Sequence, residues 1–300
     1  MLYQPITVDH PLCIFISLGN TGANSLYRTL SQNLPQQASD TLPGTFDEQG
    51  GPNPKVLMTL KLLYGHRRIF DCETLNLCNT LKRNFELITL VRNPINHFIT
   101  NYNWSLGYYC GNHIRSTNEP ETGWIKRRES MPKEWLESLS SIDSFIKYYE
   151  ESPKDIFSLI SQIKNVVLRN NKRNTSNLAP NDIVKLLFDH FRFVGITELF
   201  EETVFALCKL FNWPVIKEPW IRLGPYIPKL KIDDLNKAQI GRIKKILKDD
   251  INVYDLIREN FENYFCNNYG LEDYGVYKAN CIAADQQICT NFLLGSDQYI

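Results

Sequence analysis

The chain has 300 residues, of which 43% are hydrophobic and 22% are charged. This composition is sufficient for one large hydrophobic core. We therefore predict a single domain over 1–300, with its main part at about 12–265 and a weakly ordered polar tail at 266–300. The 33 basic and 33 acidic residues cancel, which excludes the overall positive field that attracts nucleic acid or an anionic membrane. An anionic ligand must therefore meet local positive groups.

The cysteine and histidine patterns argue against a disulfide framework and a metal centre. None of the eight cysteines forms a C-x-x-C pair, and the five histidines do not pair with cysteine at zinc-ligand spacing. We expect reduced core cysteines and no metal. No apolar stretch is long enough to span a membrane and no signal peptide is visible, so we expect a soluble cytoplasmic protein. Two N-x-[ST] sequons, at Asn103 and Asn174, leave a trimmed luminal domain as the alternative.

The first predicted elements are a buried strand, a short turn of small and polar residues, and a helix. The apolar run 12–16 predicts the strand, and the helical pattern begins at Ser25. Backbone N–H groups in such a turn point outward together and the helix dipole adds to them, which suits a phosphate. A side chain larger than those of Gly22 and Ala23 would hold the ligand off the backbone. An ordinary turn without a ligand is the alternative.

This turn departs from the nucleoside-triphosphatase motif G-x-x-x-x-G-K-[ST]. With Ser25 in the hydroxyl place, Asn24 stands in the lysine place and Leu18 in the first glycine place. The cation for the β- and γ-phosphates is then missing. Triphosphate hydrolysis and a P-loop kinase are therefore disfavoured, whereas a phosphate-binding turn is retained.

Two later strands end in polar residues. After a predicted loop at 34–55, the apolar run 56–63 leads to His66, and a helical pattern follows at 72–82. A continuous apolar strand at 85–91 then ends in Arg92, just before a helix that Pro94 can open. Arg92 therefore stands at the carboxyl end of a buried strand, where open α/β sheets bind ligands. We predict that it binds an anion rather than forming a surface salt bridge.

The second half alternates helices with one more buried strand. The strand is predicted at 193–197, and helical patterns lie at about 142–149, 156–166, 181–191, 198–211, 233–247 and 253–264. The segments 112–140, 169–180 and 215–232 are predicted to be loops. The alternation predicts an α/β fold with a mainly parallel central sheet flanked by helices.

Taken in order, these segments resemble the sulfotransferases that use 3′-phosphoadenosine 5′-phosphosulfate (PAPS), especially the carbohydrate sulfotransferases and their bacterial relatives. The family's 5′-phosphosulfate loop, roughly I-P-K-T-G-G-T-S, is matched by 18–25. Its 3′-phosphate motif, roughly L-R-D-P-x-x-R-x-x-S-x-Y, is matched by 91–102, with Thr100 and Tyr102 in the serine and tyrosine places. Three looser motifs of the family are also matched. Its G-H pair is matched by Gly65-His66, and its F-V-G-L-T-E-x-F-x-E-S motif is matched by 193–203. A late D…Y…F pattern is matched by Asp250, Tyr254 and Phe261.

The resemblance implies a P-loop-like, sulfotransferase-type fold and in-line transfer of a sulfuryl group from PAPS to a hydroxyl or amine of a carbohydrate or other small-molecule acceptor. It places the 3′-phosphate on Arg92 and Thr100. His66 is the candidate base for the acceptor's proton, with His97 and His113 as weaker rivals. The 5′-phosphosulfate is expected on Asn20, Thr21, Gly22, Ala23, Asn24 and Ser25.

One departure from the family bears on catalysis. Asn20 stands where the family has a lysine that neutralises the leaving phosphate, and a neutral hydrogen bond has roughly half the strength of a charged one. Either another cation (Lys61, Arg67 or Arg28) replaces the lysine, or the enzyme is slow. The third alternative is a catalytically impaired relative that binds PAPS or its product, adenosine 3′,5′-bisphosphate, without turnover.

We expect the segment 105–180 to shape the acceptor's pocket. Its aromatic side chains suit a sugar ring and equally suit an ordinary core; they are Tyr108, Tyr109, Trp124 and Trp135.

Overall fold

The computed structural model describes residues 11–19, 21–32, 34, 38–40, 59–66, 79, 82, 84–109, 129, 131–152, 158–167, 178–214, 230–269 and 275. The strands are β1 (Leu12–Ser17), β2 (Ala38–Asp40), β3 (Leu62–His66), β4 (Phe85–Val91) and β5 (Phe193–Ile196). The helices are α1 (Ala23–Gln32), α2 (Pro94–Tyr109), α3 (Lys133–Ser138), α4 (Ile142–Glu151), α5 (Leu159–Val167), α6 (Pro180–His190), α7 (Phe200–Leu210), α8 (Lys237–Ile246) and α9 (Lys248–Asn268). Short 3-10 turns lie at Thr197–Leu199 and Ile232–Asp234.

The chain divides into two compact units. The first contains 1–91, 185–222 and 257–300, and the second contains 92–184 and 223–256. The extent of one domain over the whole chain stays a prediction. Of the helices that the structure describes, none is both long and apolar enough to cross a membrane.

The first unit is built on a parallel sheet. The described strands form one five-stranded sheet in the order β2-β3-β1-β4-β5, and every neighbouring pair is parallel. All six residues of β1 are buried, as expected for a central strand that is covered on both faces. The predicted α/β fold with a parallel central sheet flanked by helices is confirmed.

The strand order reverses at β1. From β1 the chain goes to β2 and β3 on one side, and it then passes to β4 and β5 on the other side. In open α/β sheets, ligands bind outside the carboxyl ends of the strands at such a reversal. The turn between β1 and α1 lies at this point.

The segment 193–203 packs β5 tightly against α7. The Thr203 hydroxyl accepts the N–H of Ile196 and donates to the carbonyl of the same residue, both at 3.0 Å. This close approach requires a glycine, since a Cβ at Gly195 would lie 2.4 Å from Cγ2 of Thr203. The segment 193–203, to which the sequence gave no role, is therefore a packing unit.

The second unit has its own apolar core, centred on Phe145. Its ring lies 5.1 Å from that of Phe98, 5.2 Å from that of Tyr102 and 4.9 Å from that of Tyr149. The sequence allowed two roles for Trp135, contact with a sugar or packing in a core. In the structure, Trp135 is buried in the same cluster. The side chains of Tyr108, Tyr109 and Trp124 lie outside the described part of the structure.

Asn103 fastens the middle of α2 to the segment before the second 3-10 turn. Its side-chain amide donates to the carbonyl of Leu230 (2.8 Å) and accepts the N–H of the same residue (3.1 Å). This pair of hydrogen bonds fixes the orientation of the Asn103 side chain. The second sequon, at Asn174, lies outside the described residues.

Several predicted boundaries need correction. The predicted loop at 34–55 contains β2, and the predicted loop at 112–140 contains α3. The helix predicted at 253–264 extends over Lys248–Asn268 and so enters the predicted tail. Most of the predicted helix at 72–82 and of the predicted loops at 169–180 and 215–232 lies outside the described residues.

Asp250 caps α5 from the neighbouring helix α9. Its Oδ1 accepts the Ser158 hydroxyl at 2.8 Å and the N–H of Ile160 at 2.9 Å. Burial raises the pKa of Asp250 above its ordinary value, although these hydrogen bonds act in the opposite direction. An acid with a raised pKa in the folded state favours folding when protonated. Its contribution is therefore present at low pH and is lost as pH rises through the folded pKa.

Asp250→Asn should flatten this pH dependence above about pH 4, because asparagine keeps an oxygen acceptor without a charge. At pH 7 we expect the free energy of unfolding to equal or exceed that of the wild type. Asp250→Ala should cost about 2 kcal/mol, since it leaves the donors of α5 without their acceptor. Urea denaturation between pH 4 and pH 8 measures both. Equal losses for asparagine and alanine would contradict the assignment.

Candidate functional site

Two glycines set the course of the turn between β1 and α1. Gly19 has φ = 76° and Gly22 has φ = 78°, values that other residues adopt only at a cost. The N–H of Gly19 donates to the hydroxyl of Ser17 at 3.2 Å. After the buried strand, the chain therefore adopts backbone conformations at 19 and 22 that favour glycine.

Gly22 is also the residue from which α1 starts. Its carbonyl accepts the N–H of Ser25 at 2.9 Å and that of Leu26 at 3.1 Å. The N–H of Ser25 thus already has a partner, although we expected it to face an anion. The N–H groups of Ala23 and Asn24 belong to the first turn, where a helix has no carbonyl of its own to offer. Together with the helix dipole they favour a negative charge at this end.

Thr21 carries a buried hydroxyl for which the described residues offer no partner. The residue is 2% exposed, and its Oγ1 makes no hydrogen bond within the described part of the chain. Leaving a buried polar group unsatisfied costs about 1–3 kcal/mol. An acceptor atom of a ligand at the turn would remove this cost.

Thr197 joins the turn to the end of a neighbouring strand. Its Oγ1 lies 2.6 Å from the carbonyl oxygen of Thr21 and 2.8 Å from that of Val91. One hydroxyl proton is therefore shared between the turn after β1 and the last residue of β4. The sequence included Thr197 in a motif but gave it no role. The available signal was a threonine at the end of a predicted buried strand.

The side chain of Asn24 is held by β3. Its Oδ1 accepts the hydroxyl of Tyr64 at 2.7 Å. Tyr64 in turn stacks on Tyr27 of α1, with ring centroids 4.9 Å apart and planes 16° apart. The first turn of α1 is thereby fixed to the sheet. The expected contacts of Asn24 and Ser25 with a ligand stay predictions, and Asn20 lies outside the described residues.

His66 is the last residue of β3, which corrects the prediction that the Gly-His pair follows the strand. It pairs with Ser17 in the parallel register. The ends of β1 and β3 are therefore neighbours at the edge where the turn begins. The side chain of His66 lies outside the described part of the structure, so its role as a base stays a prediction.

Arg92 and Thr100 belong to the second unit. Arg92 directly follows β4 and is half-buried, and Thr100 is a half-buried residue in the second turn of α2. Between them, Asn93 caps α2 by accepting the N–H groups of Ile95 (3.0 Å) and Asn96 (3.3 Å). Arg92 thus precedes a well-capped helix start. Its expected role with Thr100 in binding a 3′-phosphate stays a prediction.

The structure describes some of the residues that were considered as the replacement cation or as the alternative base. The carbonyl of Lys61 accepts the N–H of Cys13, so Lys61 lies at the start of β1, roughly 20 Å of strand from the turn. This position excludes Lys61 as the replacement cation. Arg28 is exposed on α1, and Arg67 and His113 lie outside the described residues.

His97 is buried in α2 and lines a cavity of about 10 Å³ with Asn101 and Asp250. A cavity of that volume holds one water molecule at most, so it cannot take a nucleotide or a sugar. Within the ranges that the structure describes, no three His, Cys, Asp or Glu side chains are grouped to hold a metal ion.

The sequence matches no protein-family model, and no curated protein matches it. Among solved structures, the chain is similar to the crystal structure of a sulfotransferase from Alicyclobacillus acidocaldarius, with 13% sequence identity and a TM-score of 0.39. The similarity covers 84% of this chain and 97% of that chain. At this identity and TM-score, the match assigns neither a substrate nor a site residue.

Proposed function

We propose that the chain binds PAPS through the turn between β1 and α1 and transfers its sulfuryl group to a hydroxyl or amine of a carbohydrate or other small-molecule acceptor. The observation that carries the proposal is the buried hydroxyl of Thr21, which has no partner among the described residues and lies beside the N-terminus of α1. The order of the motifs resembling the sulfotransferases supports it independently.

The turn supplies neutral donors at the point where charge develops. In the proposed pose, the N–H groups of Gly22, Ala23 and Asn24 and the hydroxyl of Thr21 bind oxygens of the 5′-phosphate. As the acceptor oxygen or nitrogen bonds to sulfur, the bond from sulfur to the phosphate oxygen breaks, and adenosine 3′,5′-bisphosphate leaves. Fixed donors at that phosphate lower the barrier because they are already oriented before the charge appears.

The acceptor's proton needs a base, and His66 remains the candidate. It ends β3 beside the end of β1, at the edge of the sheet where the turn starts. A neutral imidazole suits proton removal near pH 7. The 3′-phosphate is assigned to the guanidinium of Arg92, whose fork matches two phosphate oxygens, with Thr100 as a second donor.

Thr21→Val tests whether this hydroxyl serves the binding of the nucleotide or the stability of the fold. Valine has nearly the same shape and no polar atom, so we expect the ligand-free protein to be as stable as the wild type or more stable by about 1 kcal/mol. The affinity for adenosine 3′,5′-bisphosphate should fall about tenfold. Urea denaturation and calorimetric titration measure the two effects.

Thr21→Ser is the matched control, because serine keeps the hydroxyl and should keep most of the affinity. A valine variant that loses stability and binds the nucleotide normally would show that the hydroxyl serves the fold, and it would remove the observation on which the proposal depends.

A catalytically impaired, nucleotide-binding protein is the second candidate, because Asn20 stands in the family's lysine place. The two candidates differ in the formation of adenosine 3′,5′-bisphosphate from PAPS with a panel of sugar, phenol and amine acceptors. The enzyme forms this product in proportion to acceptor, and Asn20→Lys then shows whether asparagine slows it. Tight binding without product across the panel favours the impaired protein.

A further inference from the structure

We propose that Thr197 is a positioning residue that orients the phosphate-binding turn. The inference rests on the proposed function, since it assigns the turn to a phosphate. Thr197 belongs to neither segment that the sequence associated with the nucleotide. It lies 176 residues from Thr21 along the chain, and the sheet brings the two residues together.

The first step is the direction of one peptide plane. The carbonyl of Thr21 points at Oγ1 of Thr197, 2.6 Å away. The peptide bond between Thr21 and Gly22 is trans, so its C=O and N–H point in opposite directions. The N–H of Gly22 therefore faces away from Thr197. By holding the carbonyl, Thr197 fixes the direction of a donor that the proposed function assigns to the phosphate.

The second step is the rigidity of Thr197 itself. It directly follows β5, whose last residue, Ile196, has both backbone polar groups engaged by Thr203 of α7. Its hydroxyl also lies 2.8 Å from the carbonyl oxygen of Val91, the last residue of β4. The hydroxyl is thus positioned by two adjacent strands and a helix, which are stiffer than a loop.

The third step distinguishes the contribution of the Thr197 hydroxyl from that of its methyl group. A Cβ at Gly22 would lie 3.5 Å from Cγ2 of Thr197 and 3.8 Å from Cδ2 of Leu90, so the turn lies directly on these side chains. Valine at 197 keeps that apolar surface and removes the hydrogen bonds. Serine removes the methyl group and keeps them. The pair of variants therefore distinguishes orientation from packing.

Thr89→Val is the matched control. The Thr89 hydroxyl donates to the carbonyl of Ile16 at 2.8 Å and is buried between β4 and β1, so this variant also loses a buried threonine hydrogen bond, but one within the sheet and not to a residue of the turn. It allows a general loss of stability to be subtracted from the effect at Thr197.

The experiment is a calorimetric titration of the wild type and the three variants with adenosine 3′,5′-bisphosphate, with urea denaturation of each. We expect Thr197→Val to weaken binding about tenfold, Thr197→Ser to stay within about threefold of the wild type, and Thr89→Val to bind normally. Normal binding by the valine variant, or equal losses for valine and serine, would overturn the positioning role.

A ligand-free measurement keeps this role distinct from the proposed function. The amide proton and nitrogen shifts of Gly22 should move in Thr197→Val and should not move in Thr197→Ser or Thr89→Val. A wild type that fails to bind the nucleotide would refute the proposed function. Unmoved glycine shifts in the valine variant would refute the positioning role, whatever the nucleotide does.

Discussion

Gly195→Ala is expected to destabilise the protein by about 3 kcal/mol, the top of the usual cost of overpacking a core. The added Cβ would lie 2.4 Å from Cγ2 of Thr203, 3.1 Å from Cδ1 of Leu90 and 3.2 Å from Cε1 of Phe193. These neighbours cannot withdraw easily, because Thr203 is hydrogen-bonded to the strand that carries the substitution. Urea denaturation measures the loss directly.

Gly241→Ala is the control for the same chemical change. Gly241 is exposed within α8, and a Cβ there would meet nothing within 4 Å. Alanine should stabilise this helix by roughly 0.5–1 kcal/mol. A Gly195→Ala variant that is as stable as the wild type, or that follows Gly241→Ala, would show that β5 and α7 are packed less closely than described.

Arg92→Ala should weaken the binding of adenosine 3′,5′-bisphosphate about 30-fold or more while the fold is retained. The estimate assumes two charge-assisted hydrogen bonds to the 3′-phosphate, each contributing about 1.5–3 kcal/mol when buried and less when exposed. A calorimetric titration of wild type and variant measures the difference. Unfolding curves of both proteins verify that the fold is retained.

Adenosine 5′-monophosphate is the control ligand, because it lacks the 3′-phosphate. Its affinity should be low for the wild type and should be unchanged by Arg92→Ala. If the variant weakens both nucleotides equally, Arg92 does not recognise the 3′-phosphate. If it weakens neither, the guanidinium takes no part in binding.

The elements that were predicted best from the sequence are those with long apolar runs. β4 was predicted at 85–91 and is Phe85–Val91, because a mostly apolar run bounded by polar residues is typical of a buried parallel strand. The helix opened by Pro94 was also predicted, since proline is suited to the first helical turn. β3 was misplaced because pairing with β1, rather than its own composition, sets its bounds.

The candidate site was predictable only where its features are local in sequence. Gly22 was singled out from the sequence for its small size, and the structure gives both Gly22 and Gly19 a positive φ. The hydrogen bonds of Thr197 to Thr21 and Val91 span 176 and 106 residues. The cap that Asp250 provides to Ile160 spans 90 residues. Such contacts depend on tertiary structure and leave no periodic trace in the sequence.

A crystal structure of the protein with adenosine 3′,5′-bisphosphate tests the central claim most directly. The account predicts the 5′-phosphate at the turn between β1 and α1, accepting from the N–H groups of Gly22 and Ala23 and from the hydroxyl of Thr21, and the 3′-phosphate on the guanidinium of Arg92. A nucleotide bound elsewhere, or a 5′-phosphate that leaves the hydroxyl of Thr21 without a partner, would contradict it.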